Sequence, residues 1–213
     1  MNELGRAHFA RLLEQRGIPS CDEEHLERWI SVQETRPDFA ARPLGFPPFL
    51  AEVAAPWRGE LSAAGGSPPG GHGPVVKRLG RLVRDAAAQL RPYKRLGMAM
   101  VVVLDGGAPG EAPLEAGDLI PLAGALEDRR PYVSAVLLSL PKRASAHVGP
   151  ADRERPMRVR VLHNPSAIVP LHLGIFAEPE DEHFVRMGDR WVDIRTGAPL
   201  LFGESPPAPP PPE

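Results

Sequence analysis

A chain of 213 residues with 42% hydrophobic and 24% charged side chains has the make-up of a globular domain, and its net charge of −2 exerts no global pull on nucleic acid. A single cysteine, Cys21, excludes an intramolecular disulfide and a cysteine-based zinc site, and it fits a reducing cytoplasm. The opening MNELGRAHFARLLEQ is charged throughout without an apolar secretory core, and no apolar run reaches the length of a membrane span, so the expected location is cytoplasmic.

Glu3–Arg16 places Leu4, Phe9, Leu12 and Leu13 near helical spacing, which predicts an amphipathic helix ended by Gly17 and Pro19. In SCDEEHLERWI, Ser20 or Asp22 reads as an N-cap ahead of a short helix. Around Ile30–Gln33 the pattern turns to a strand. GFPPFLAEVAA reads as a buried strand centred on Phe49–Ala54, with Pro47 and Pro48 confined to its start, where a missing ladder donor is tolerated. The glycine-rich GGSPPGGHGP (Gly65–Pro74) breaks the chain. VVKRLGRLVRDAAAQLRPYKRLG then predicts a long helix with Val76, Leu79, Leu82, Val83, Ala86 and Leu90 on its apolar face. Pro92 ends or kinks it, because the residue before a proline avoids the α region. MAMVVVLDG is a nearly continuous apolar run, the pattern of a strand covered on both faces. The expected order to this point is helix, strand, strand, helix, strand.

A second break, Gly106–Asp118, follows. DLIPLAGALEDRR suggests a helix, YVSAVLLSL and MRVRVLHN suggest strands, and RWVDIRTG a short last one. HNPSAIVPLHLGIF is expected to pack as an ordered loop. The tail ESPPAPPPPE (Glu204–Glu213) is expected to be extended and unpacked. The elements predict one α/β domain over residues 1–203, a mixed sheet flanked by helices, with a core in 3–105 and a C-terminal extension in 118–203.

Two acids stand out in RPDFAARPLGFPPFLAEVAAPW. Asp38 follows Pro37, and Glu52 lies inside an apolar run where an unpartnered carboxylate is costly. Phosphodiester cleavage needs an activated water and a cation beside the phosphate, and magnesium is commonly held by one or two carboxylates plus phosphate oxygens. Carboxylates on neighbouring strands can share such an ion. A lysine two residues beyond the second acid would reach the same face of the strand and stabilise charge on phosphorus.

These residues resemble the PD-(D/E)XK nuclease superfamily, with its restriction-endonuclease-like fold. Pro37-Asp38-Phe39 matches the PD element and Glu52-Val53-Ala54 the (D/E)XK element. QLRPY, with Gln89 and Tyr93, matches the Q-x-x-x-Y pattern of RecB-like members, and Glu14 matches a further acid late in the first helix. The resemblance covers roughly Glu3–Asp105. It implies a magnesium ion held by Asp38 and Glu52 with Glu14 as an outer ligand, and Gln89 with Tyr93 orienting the site or touching DNA. The departure is Ala54, which stands where the family carries lysine. Some members of the family place the basic group elsewhere, which makes Lys77, Arg78 and Arg58 candidates for it; the only lysines are Lys77, Lys94 and Lys142.

Each residue also has a plainer reading. Asp38 can cap a turn, and Glu52 can face solvent from a strand. Gln89 can be a surface residue, Tyr93 a packed one, and Glu14 a solvated helix position. The basic run Lys77, Arg78, Arg81, Arg84, Arg91, Lys94 and Arg95 suits phosphate or simply water. His163, His172 and His183 lack metal-ligand spacing and read as structural, and LDGGAPG lacks a dinucleotide fingerprint. The expected function is therefore DNA binding with magnesium-dependent hydrolysis weakened by loss of the lysine. The rival is a nuclease-like fold without catalysis, an interaction or assembly module contacting a protein partner.

Overall fold

The computed structural model describes residues 3–33, 35–54, 73–105, 130–141 and 157–198, the side chains of 73–78 and 141 excepted. α1 (Glu3–Gln15) forms where Gly5, Phe9, Leu12 and Leu13 fall on one stripe, and all four are buried. Gly17 ends it at φ 60°, a conformation that costs glycine nothing. α2 (Gly73–Leu90) begins inside the predicted glycine-rich break. Pro74 falls in its first turn, where a missing N–H is harmless. A 3₁₀ turn, Arg91–Tyr93, carries Pro92 and closes the helix as expected.

The strands are β1 (Ser20–Asp22), β2 (Phe39–Ala41), β3 (Phe49–Ala54), β4 (Ala99–Asp105), β5 (Ala135–Pro141), β6 (Met157–His163), β7 (Glu182–Met187) and β8 (Arg190–Asp193). Among the described residues they form one eight-stranded mixed sheet whose spatial order is the chain order. Pairing is antiparallel from β1 to β3, parallel from β3 to β5, antiparallel for β5–β6, parallel for β6–β7 and antiparallel for β7–β8. The described parts of both halves of the chain thus share one sheet, and the class is α/β. No helix among the described residues is long and apolar enough to cross a membrane.

Strand alternation sorts the core into two layers. Phe49, Ala51, Val53, Val101, Val103, Ala135 and Leu137 cluster with Phe9, Leu12 and Leu13 of α1. Leu50, Ala54, Met100, Val102, Leu104, Val136 and Leu138 cluster with Leu79, Val83, Ala86, Ala87 and Leu90 of α2. β4 is covered on both sides and buried at every residue, as its unbroken apolar run predicts. The proline-punctuated segment after β6 packs without forming an element: Leu171, Ile175 and Phe176 join the α1 layer.

Three sequence expectations change. Ser20–Asp22 caps no helix; it is β1, in register with Ala41–Phe39, and the predicted helix shrinks to the 3₁₀ turn Leu26–Arg28. Ile30–Gln33 forms no strand; Ile30 and Val32 pack on the α2 layer from a loop, and the strand comes at Phe39–Ala41. β7 was not expected. All but Arg130 of the predicted helix Asp118–Arg130, most of the first glycine-rich break, all of the second and the proline tail lie outside the described residues.

Candidate functional site

Phe39 pairs with Ala51 at the start of β2, so the next register position sets Asp38 opposite Glu52. There the backbone ladder gives way to side chains. The Val53 N–H donates to Asp38 Oδ2 at 2.8 Å, and the Asp38 N–H donates to Glu52 Oε2 at 3.2 Å. Each carboxylate thus satisfies the strand that carries the other, or its neighbour, which is why two acids persist at this position in an apolar sheet. Asp38 is 8% exposed and Glu52 half-buried. Burial pushes the Asp38 carboxyl up from its ordinary value, against the opposing pull of the Val53 N–H and of Arg6. Glu52 is pushed up to about 8, by burial first and by the Asp38 charge second.

The basic group at this pair comes from α1. Arg6 Nε lies 3.2 Å from Asp38 Oδ1, and its Nη1 lies 3.0 Å from Glu23 Oε2. Neither Arg6 nor Glu23 carried a sequence signal, because an ion pair between residues 32 positions apart leaves no local pattern. Of the anticipated donors, Arg58 and the side chains of Lys77 and Arg78 lie outside the described residues. Ala54 shares the Glu52 face of β3, as alternation requires, but is 8% exposed and packs in the α2 layer. A lysine there would enter the core.

Tyr93 and Gln89 meet at a different task. The Tyr93 hydroxyl, in a residue 1% exposed, accepts from the Gln33 N–H at 3.0 Å and donates to the Thr35 carbonyl. Thr35 Oγ1 donates to the Gln89 carbonyl at 2.9 Å, while the Gln89 side chain is exposed. Both therefore hold the loop that leads into Asp38, and the structure does not bring their side chains to the carboxylates. Glu14 is exposed on α1, eight residues and about 12 Å along the axis from Arg6, and it is not brought to the pair either. Arg81, Arg84, Arg91, Lys94 and Arg95 are all exposed.

Other polar groups cluster elsewhere. His8 Nδ1 lies 2.9 Å from Asp105 Oδ2 at the end of β4. His163 and His183 form a buried hydrogen-bonded pair, Nε2 to Nδ1 at 2.9 Å, and His183 Nε2 donates to the Phe176 carbonyl. Burial pushes His163 down to about 3 and His183 down from its ordinary value, which favours the neutral form of both rings. His172 packs against Phe46 with ring centroids 4.7 Å apart and planes tilted by 42°.

No family model, curated protein or solved structure matches the chain. Among the described residues, no group of three or more His, Cys, Asp and Glu is arranged to hold a metal ion. A cation at Asp38 and Glu52 would draw two ligands from the protein and the rest from water or phosphate. That donor set is all-oxygen and suits magnesium or manganese over zinc.

Proposed function

We propose that the chain is a nucleic-acid-binding protein with a restriction-endonuclease-like core, in which Asp38 and Glu52 take up a divalent cation that engages a phosphate group. The observation that carries this reading is the placement of Asp38, just ahead of β2, opposite Glu52 of β3, with the Asp38 backbone N–H 3.2 Å from Glu52 Oε2 and the Glu52 carboxyl pushed up to about 8. Arg6 pairs with both Asp38 and Glu23, so one guanidinium serves two carboxylates, and a cation at Glu52 would take the place of the proton that its raised carboxyl holds. Hydrolysis would be weak. No lysine follows Glu52 at the family position, and loss of one positioned electrostatic stabiliser costs ~10²–10³-fold in rate.

The test incubates the full chain with single- and double-stranded DNA and either Mg²⁺ or Mn²⁺. Slow, metal-dependent nicking that is lost in Asp38→Asn and Glu52→Gln is the expected result. The absence of metal-dependent binding or cleavage in wild type would overturn it. The second reading, a non-catalytic interaction module, draws on Ala54, whose 8% exposure within the α2 layer leaves the lysine position filled by core. It is favoured if DNA and cations are both ignored.

A further inference from the structure

The loop that joins β2 to β3 and the segment that follows β6 enclose a cleft of about 600 Å³, whose apolar walls are Ile18, Leu44, Phe46, Ile175 and Phe176. The Phe46 ring lies so close to Gly174 that a Cβ there would come within 2.6 Å of it. Phe176 holds φ 60°, a backbone setting uncommon for a side chain of its size. Leu44 is 93% exposed. An exposed leucine is ordinary on its own, but one that lines an apolar cleft offers surface that a further apolar side chain would cover.

The last described residues lie beside this cleft. Pro179 lines it and also lines a second cleft, which has Ala198 among its walls. Arg195 Nη1 donates to the Glu178 carbonyl at 2.6 Å, and the Asp193 N–H donates to the Ala198 carbonyl at 2.9 Å, so the chain is held at this rim as far as Ala198. The sequence continues Pro199-Leu200-Leu201-Phe202, uncharged and with three large apolar side chains. Four extended residues span on the order of 13 Å, a reach that carries the chain from Ala198 over Pro179 into the apolar cleft.

We infer that Pro199–Phe202 is a strap that docks in this cleft. Alternate side chains of an extended segment share a side, so Leu200 and Phe202 face the Leu44, Phe46 and Phe176 walls while Leu201 faces out. A short tether holds its own segment at an effective concentration in the millimolar range, so the chain's own strap outcompetes the same segment of a second copy. Docking clamps the β2–β3 loop to the end of the sheet and sets where the proline tail from Glu204 leaves the molecule.

Disulfide trapping in the full chain is the test. Cys21→Ser removes the native thiol. Leu44→Cys with Gly203→Cys then puts one thiol on the cleft wall and one just past the strap, and the exposure of Leu44 means that its replacement spares the core. The control joins Gly203→Cys to Leu4→Cys, an exposed position at the start of α1 and about 16 Å along the axis from its end. Under oxidised glutathione the Leu44 pair should close an intramolecular disulfide about tenfold faster than the control or more, the advantage of a docked tether over a free one. Adding Phe202→Ser should slow that closure by about tenfold, the scale of one lost apolar anchor, whereas Leu201→Ser should leave it nearly unchanged. Equal rates for the two pairs, or indifference to Phe202→Ser, would overturn the inference. Disulfide-linked dimers in place of the intramolecular form would overturn it too and assign the cleft to a second copy. None of these outcomes bears on the Asp38–Glu52 pair.

Discussion

Glu52 keeps its proton at neutral pH, and that has a sign that can be measured. In the unfolded chain its carboxyl ionises near the ordinary 4.5, and in the folded chain near 8. Between those values the folded state holds more protons, so stability should fall as pH rises from 4.5 to 8 and change little from this source above. Glu52→Gln retains an acceptor for the Asp38 N–H and removes the titration. Urea denaturation at pH 9 should find the variant more stable than wild type by about 1–3 kcal/mol, the scale of an imperfectly satisfied buried group, and nearly equal at pH 4.5. Equal stability at pH 9 would show that the ionised carboxyl is well solvated. Divalent cations reverse the logic. Binding should expel the proton, so Mn²⁺ affinity should rise with pH and level off near 8. Glu52 was legible in the sequence because a charge within the apolar run Phe49–Ala54 is costly without a partner, and Asp38 because it offered that partner. Their partner Arg6 was not, because its contact is tertiary.

Among the elements, the long and periodic ones were legible and the short ones were not. α1, α2, β3 and β4 each bury a full stripe or a continuous run, and such patterns survive any tertiary arrangement. β1 and β2 are three residues each, too short to show alternation. Ser20 and Asp22 have the chemistry of a helix cap, but pairing with β2 claims their backbone. Tyr93 shows the same limit. Its burial follows from a helix end in a core, but its bonds to Gln33 and Thr35 cross 60 and 58 positions. Tyr93→Phe keeps the ring and removes the hydroxyl that accepts from the Gln33 N–H, in an exposed residue, and donates to the Thr35 carbonyl. It should destabilise the protein by about 0.5–1.5 kcal/mol in urea. Loss of loop order should also loosen Asp38, so Mn²⁺ binding should weaken in this variant although Tyr93 touches neither carboxylate. Unchanged stability would mean that the loop is held by packing alone.

At the scale of the molecule, one buried guanidinium ties the two ends of the chain together. Arg16, at the end of α1, donates to the Met157 carbonyl at 3.0 Å and to Asp181 Oδ1 at 2.8 Å, and it pairs with Glu178. Asp181 has a side chain 0% exposed and accepts further from the Val159 and Glu178 N–H groups. Arg16→Met should cost about 3–5 kcal/mol, because it leaves a buried carboxylate without its guanidinium. Asp181→Asn in the same chain should recover part of that loss, read as coupling in a double-mutant cycle. Purely additive effects would show that the two side chains act separately.

The order of the strands has a consequence for how the protein is made. Because each strand lies beside its predecessor, a chain emerging from the ribosome finds the neighbour of every new strand already synthesised, and the sheet can lengthen at one edge as translation proceeds. α1 does not share that advantage. Its last turn is bonded to Met157 and Asp181, 141 and 165 residues further on, and its apolar stripe lies in one layer with Ile175 and Phe176. α1 leaves the ribosome before every strand of the sheet and is thus fully seated only after them, and Arg6, which rides on it, reaches its final setting beside Asp38 only when most of the sheet is already built.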